Sequence, residues 1–202
     1  MSTQLIGERI AVLVDDGVDS DELVQLRRAL SGAAASVVVL SAPSTPVLAI
    51  DTRGVVDHFT ADASLGELRV EDYSALIIPS GRGPHAQLRY HAGVTRSVRT
   101  AVARGSVVAT GRSATGVLVA AGLVRGRRVT SCPGLRHELR QAGAQWLDVA
   151  VAREDGVLTT QRADTAGLAW AVADEVAARS AGPVRSAGAG LAGSAVLSAG
   201  CP

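Results

Sequence analysis

Lysine is absent from the chain: all 20 of its basic residues are arginine. That removes Schiff-base chemistry on a lysine amine. It also removes the P-loop, which needs a lysine on the nucleotide phosphates. Aromatic side chains make up only 2% of the 202 residues, against 47% hydrophobic residues overall. A core must therefore be filled by Val, Leu, Ile and Ala. Cysteine occurs twice, at Cys132 and Cys201, too rarely for a disulfide scaffold or a cysteine-rich metal site. The four histidines, His58, His85, His91 and His137, form no His-x-x-x-His pair. Neither a metal nor another cofactor is expected. The net charge is +1, with 19 acidic residues and no dense basic run, which argues against a nucleic-acid partner. No stretch reaches the roughly 18 apolar residues of a membrane span. The N-terminus lacks the charged segment and apolar run of a signal peptide. The expectation is a soluble, cytoplasmic protein.

What the chain does have is alternation. Ile10–Val14, Val37–Leu40, Leu76–Ile78 and Val107–Ala109 are short apolar runs suited to buried strands. Between them lie amphipathic stretches. Asp19–Leu30 places Leu23, Leu26 and Leu30 at helical spacing, and Gly93–Arg104 does the same with Val94, Val98 and Val102. Ser113–Ala121, Leu135–Ala142 and Thr165–Arg179 read as further helices, and Arg128–Ser131 as a short strand. Val149–Ala152 and Val157–Thr160 flank Glu154-Asp155-Gly156, a hairpin signal. Apolar strands separated by helices imply a mainly parallel sheet covered on both faces. The fold class is a flavodoxin-like, three-layer α/β sandwich over residues 1–182. From Pro183 to Pro202, twelve residues are Ala, Gly or Ser, which reads as a flexible tail.

In an open parallel sheet, ligands bind beyond the carboxyl ends of strands where the strand order reverses. Three strand ends carry unusual residues. The first strand leads into Asp15-Asp16-Gly17-Val18-Asp19-Ser20-Asp21-Glu22, the third into Pro79-Ser80-Gly81-Arg82-Gly83-Pro84-His85, and the fourth into Thr110-Gly111-Arg112-Ser113-Ala114. The acidic run suits either a metal or simply the positive end of a helix dipole.

These segments resemble the ThiJ/PfpI superfamily, which has the class I glutamine amidotransferase-like fold. The resemblance runs from about Arg9 to Ala178. It rests on the acidic loop Asp16-Gly17-Val18-Asp19 and on the approach from Glu71-Asp72-Tyr73 to Pro79-Ser80-Gly81. It rests further on Ala121-Gly122-Leu123-Val124-Arg125-Gly126-Arg127-Arg128-Val129-Thr130, on Ala142-Gly143-Ala144-Gln145-Trp146, and on Asp155-Gly156-Val157-Leu158-Thr159-Thr160. The resemblance implies self-association, hence a homodimer or larger homo-oligomer, and a small-molecule ligand.

The departures decide what chemistry is expected. Counting back from Ala121, the family's elbow cysteine falls on Arg112 and the following histidine on Ser113. The acidic residue that lowers the thiol pKa in the family falls on Asp19, and the acidic residue near Pro84 falls on His85. Arginine offers no lone pair and cannot replace a thiolate. Glyoxalase, deglycase and peptidase chemistry through this position is therefore not expected.

Two roles stay open for Arg112: a salt bridge to Asp19, or an anchor for a substrate carboxylate, enolate or carbonyl. His85 is either a solvated residue at a helix start or a proton carrier. Ser113 is a helix N-cap or, less simply, a nucleophile. Cys132 is a small core residue or a relocated thiol. Gly81, Arg82, Arg112, Ser113, Ala114 and Cys132 are the expected substrate-binding residues, and Asp19, His85 and Arg112 the expected catalytic ones. The leading expectation is non-covalent acid–base chemistry of hydratase, lyase or isomerase type on a small carbonyl or carboxylate compound. The alternatives are an inactive ligand-binding or regulatory scaffold, and thiol chemistry through Cys132.

Overall fold

A computed structural model of the chain describes residues 4–41, 46–51, 53–54, 56–161 and 165–181. The expected tail, with Cys201, lies outside the described residues. In chain order the elements are β1 (Arg9–Val14), β2 (Val18–Asp19), α1 (Ser20–Gly32), β3 (Ser36–Ser41), β4 (Val47–Ile50), β5 (Val56–Phe59), β6 (Ala63–Ser64), β7 (Ala75–Ile78), α2 (Ala92–Arg104), β8 (Val107–Thr110), α3 (Gly116–Ala120), β9 (Arg128–Val129), α4 (Arg136–Gln141), β10 (Gln145–Trp146), β11 (Val151–Glu154), β12 (Val157–Thr160) and α5 (Thr165–Ser180).

The main sheet has the strand order β11-β12-β8-β7-β1-β3-β6. Every pairing in it is parallel except β11 with β12. Alternate residues of each strand point to opposite faces, so two cores form. On one face Ile10, Val12 and Val14 of β1 meet Leu23, Leu26 and Leu30 of α1 and Leu168, Val172 and Val176 of α5. On the other, Ala11 and Leu13 join Leu76, Ile78, Val94, Val98 and Leu118 from β7, α2 and α3. The three-layer sandwich expected from the sequence is what the chain forms. No helix among the described residues is long and apolar enough to cross a membrane.

Two local outcomes differ from expectation. Residues 113–115 form a turn ahead of α3, which begins only at Gly116. A small second sheet, β2-β4-β5, covers the first loop, and nothing in the alternation of apolar runs signals it. The 155–156 turn does behave as expected. Asp155 and Gly156 both take positive φ, at 49° and 77°, as a tight hairpin of this twist requires.

Strand order fixes where a site can lie. From β1 the chain moves outward on one side to β3 and on the other to β7 and β8. The order reverses between β1 and β7, so the loops after β1, β7 and β8 share one crevice.

Candidate functional site

The loops after β1 and β7 are clamped by backbone hydrogen bonds. Asp19 N donates to Ser80 O at 2.9 Å and Arg82 N to Gly17 O at 2.9 Å. Gly17 sits at φ +93°, and a Cβ there would overlap the carbonyl oxygen of Arg82. Only glycine lets the two loops approach this closely. The third loop joins through Gly111 N, which donates to Ile78 O at 2.8 Å. Beneath the turn lie buried threonines. Thr110 Oγ1 and Thr115 Oγ1 are 3.2 Å apart, and Thr130 N donates to Thr159 Oγ1 at 2.9 Å. The elbow is thus held from below by satisfied polar groups.

Arg112 fills the crevice. Its Nη2 donates to Asp19 Oδ2 at 2.8 Å, and its Nε donates to Ser80 Oγ at 3.1 Å. Glu22 Oε2 lies 3.9 Å from the same Nη2. Asp19 has a second duty: its Oδ1 accepts from Glu22 N at 3.1 Å, which caps α1. Of the two roles left open for Arg112, the ion pair with Asp19 is the one formed. The side chain of Arg112 is 29% exposed and that of Asp19 9%, so the arginine is the solvent-facing member of the pair.

Glu22 is the residue that sequence reasoning missed. It is 4% exposed, and its Oε2 has no hydrogen-bond partner among the described residues. Burial raises its pKa. Hydrogen bonds from the Ser80 hydroxyl and backbone, and the Arg112 charge, act against that rise, while the Asp19 charge adds to it. The signal was available: Glu22 lies three residues after Asp19, so the first turn of α1 turns both carboxylates to one side.

His85 departs from both of its expected roles. It is 2% exposed. Its Nδ1 accepts from Asp15 N at 3.1 Å, so its Nε2 carries the proton toward Pro79 O at 2.8 Å. Burial lowers its pKa to about 4, with the hydrogen bonds to Pro79 and Asp15 opposing. The imidazole is a neutral brace between the loops after β1 and β7, with neither nitrogen left to move a proton. Gly81 packs flat on it, since a Cβ there would stand 2.6 Å from His85 Cγ.

Ser113 does not cap α3, whose first residues receive no side-chain cap. Its Oγ instead accepts from Gly81 N at 3.2 Å and donates to Gly81 O at 3.0 Å. Ala114 is buried, its N bonded to Gly111 O at 2.8 Å. Arg82 is exposed beside the crevice. Cys132 is a free, half-buried thiol whose backbone N donates to Arg112 O at 3.3 Å. The structure therefore gathers Asp19, Glu22, Ser80, Gly81, Arg112 and Ser113 around one point and sets His85 behind them. No group of three His, Cys, Asp or Glu side chains among the described residues is placed to hold a metal ion.

Comparison with known proteins matches residues 8–173 to the model of the DJ-1/PfpI family. A deglycase of Pyrococcus horikoshii is 30% identical over 109 residues, covering 54% of this chain and 64% of that protein. The deglycase PfpI of Pyrococcus furiosus matches with the same identity and coverage. The match thus spans less than two thirds of these relatives' length. Among solved structures, a two-domain protein of Anabaena variabilis, with DJ-1/ThiJ/PfpI-like and ferritin-like domains, superimposes with a TM-score of 0.75 at 25% identity. It covers 84% of this chain and 48% of that one.

Proposed function

The chain belongs to the DJ-1/PfpI family, and on that footing we propose that it is a ligand-binding member that carries out no thiol chemistry at its elbow. One observation carries this reading. The elbow position holds a guanidinium bonded at once to Asp19 and to Ser80. A protonated arginine is neither nucleophile nor base. Acid–base catalysis of hydratase, lyase or isomerase type finds less support. His85 has both ring nitrogens bonded to the backbone, Asp19 is shared between a helix cap and Arg112, and Glu22 is buried beneath them. A scaffold that binds a small molecule without transforming it fits these constraints better. Membership of the family is what supports self-association as a homodimer or larger homo-oligomer.

A second reading has its own observation. The Pyrococcus relatives are named deglycases, and Cys132 is a free thiol tied by its backbone to the elbow. Turnover of methylglyoxal by the wild type and by Cys132→Ala separates the readings. The scaffold reading expects both at the rate of buffer alone. Turnover lost in Cys132→Ala would install the thiol reading, and turnover kept in Cys132→Ala would install acid–base catalysis.

A further inference from the structure

The acceptors around Arg112 outnumber what one guanidinium uses. Asp19, Glu22 and Ser80 are 7%, 4% and 2% exposed. Asp19 Oδ2 and Ser80 Oγ each take one N–H of Arg112, at 2.8 and 3.1 Å. Glu22 Oε2 faces the same guanidinium at 3.9 Å with no hydrogen-bond partner. Two buried carboxylates thus surround one cation. A ligand carboxylate placed here would meet an arginine already neutralised by Asp19, with a second carboxylate behind it. Electrostatics therefore weigh against the anion-anchoring role that Arg112 alone suggests.

We propose that Asp19, Glu22 and Ser80 form a binding site for a planar cation, that Arg112 is its built-in occupant, and that the ligand admitted at the elbow carries a guanidinium or amidinium group. Shape favours a planar cation over an ammonium. The Nε and Nη2 hydrogens leave one edge of a flat group toward two separate acceptors, a fork that a point charge does not reproduce. Arg112 stands on a turn with its side chain 29% exposed, so its swing outward vacates the site without unfolding a helix or strand. While resident, it competes as a tethered ligand at high effective concentration, so removing the side chain should unmask the site.

This inference rests on the reading of the elbow as a binding site. The experiment is thermal unfolding of the full chain as wild type, Arg112→Ala and Arg112→Gln, each with methylguanidinium, its neutral isostere methylurea, or acetate. The expected result is a rise in midpoint of roughly 3–5 °C for the variants when methylguanidinium exceeds its Kd about tenfold. The wild type, whose own arginine fills the site, should rise far less. Methylurea and acetate should do nothing, and adding Asp19→Asn to either variant should abolish the rise. If Arg112→Ala folds only with methylguanidinium present, that rescue supports the site equally. No rise in either variant, failure of both to fold even with methylguanidinium, or stabilisation by acetate instead would overturn it. Cys132-dependent turnover of methylglyoxal would defeat the proposed function and leave these melting shifts as they are, so the two failures are distinguishable.

Discussion

Gly111 and Glu22 are fitted to each other: a Cβ at position 111 would overlap Glu22 Oε1 and stand 2.6 Å from Ser80 N. The first residue after β8 is thus kept bare so that a carboxylate from α1 can reach the backbone after β7. Three segments far apart in sequence depend on that one missing side chain. The position of Glu22, and with it the charge facing Arg112, is set by backbone packing.

Gly111→Ala should therefore destabilise the fold by about 2 kcal/mol or more, since neither the Ser80 backbone nor the buried Glu22 can yield cheaply. For a domain of this size that lowers the thermal midpoint by at least about 4 °C. Gly134→Ala, where an added Cβ meets nothing within 4 Å, is the control and should change stability by less than about 0.5 kcal/mol. Chemical denaturation of both variants checks the pair.

His85 makes stability depend on pH. In the unfolded chain the imidazole takes a proton below its ordinary value of 6.5, whereas in the folded chain it does so only at about 4. Between those values the unfolded state binds more protons, so stability falls as pH drops through that window. The full effect is roughly 3 kcal/mol. Unfolding curves from pH 7 to pH 4 should show this loss, and His85→Asn should flatten it. An equal slope in wild type and variant would contradict the brace assigned to His85.

The sheet and its helices were legible because buried strands such as Ile10–Val14 and helices such as α1 and α2 carry strong apolar periodicity. The β4–β5 hairpin was not: Val56, Asp57 and His58 are exposed on an edge strand, so no buried face imposes a pattern. Within the site, counting back from Ala121 puts Arg112 at the elbow, and its pair with Asp19 is one of the two roles the sequence leaves open for it. Glu22 is masked in the sequence by Asp19, which already answers for the family's acidic residue. The brace formed by His85 depends on Asp15, 70 residues away, and no local spacing encodes a contact of that range.

Ser80 is the hinge between the charges. Its Oγ accepts from Arg112 Nε at 3.1 Å, and its hydroxyl and backbone hold down the raised pKa of Glu22. Ser80→Ala should cost about 1–3 kcal/mol, because the buried Glu22 side chain loses a donor that water does not replace. Glu22 then binds its proton more readily, which relieves the cost as pH falls. The stability gap between wild type and variant should narrow as pH falls. A gap that stays constant would mean that Glu22 does not respond to Ser80.

The claim that Arg112 closes the elbow by pairing with Asp19 is tested most directly by a double-mutant cycle of Arg112→Met and Asp19→Asn, read by denaturant unfolding at pH 7. Asparagine keeps the helix cap that Asp19 provides, so the cycle isolates the charge pair. The 2.8 Å contact between side chains that are 29% and 9% exposed predicts a coupling of about 1–2 kcal/mol, reduced from a fully buried pair by solvent at the arginine. Single effects that add to within about 0.5 kcal/mol would contradict it. Ser80 and Glu22, not Asp19, would then hold Arg112 at the elbow.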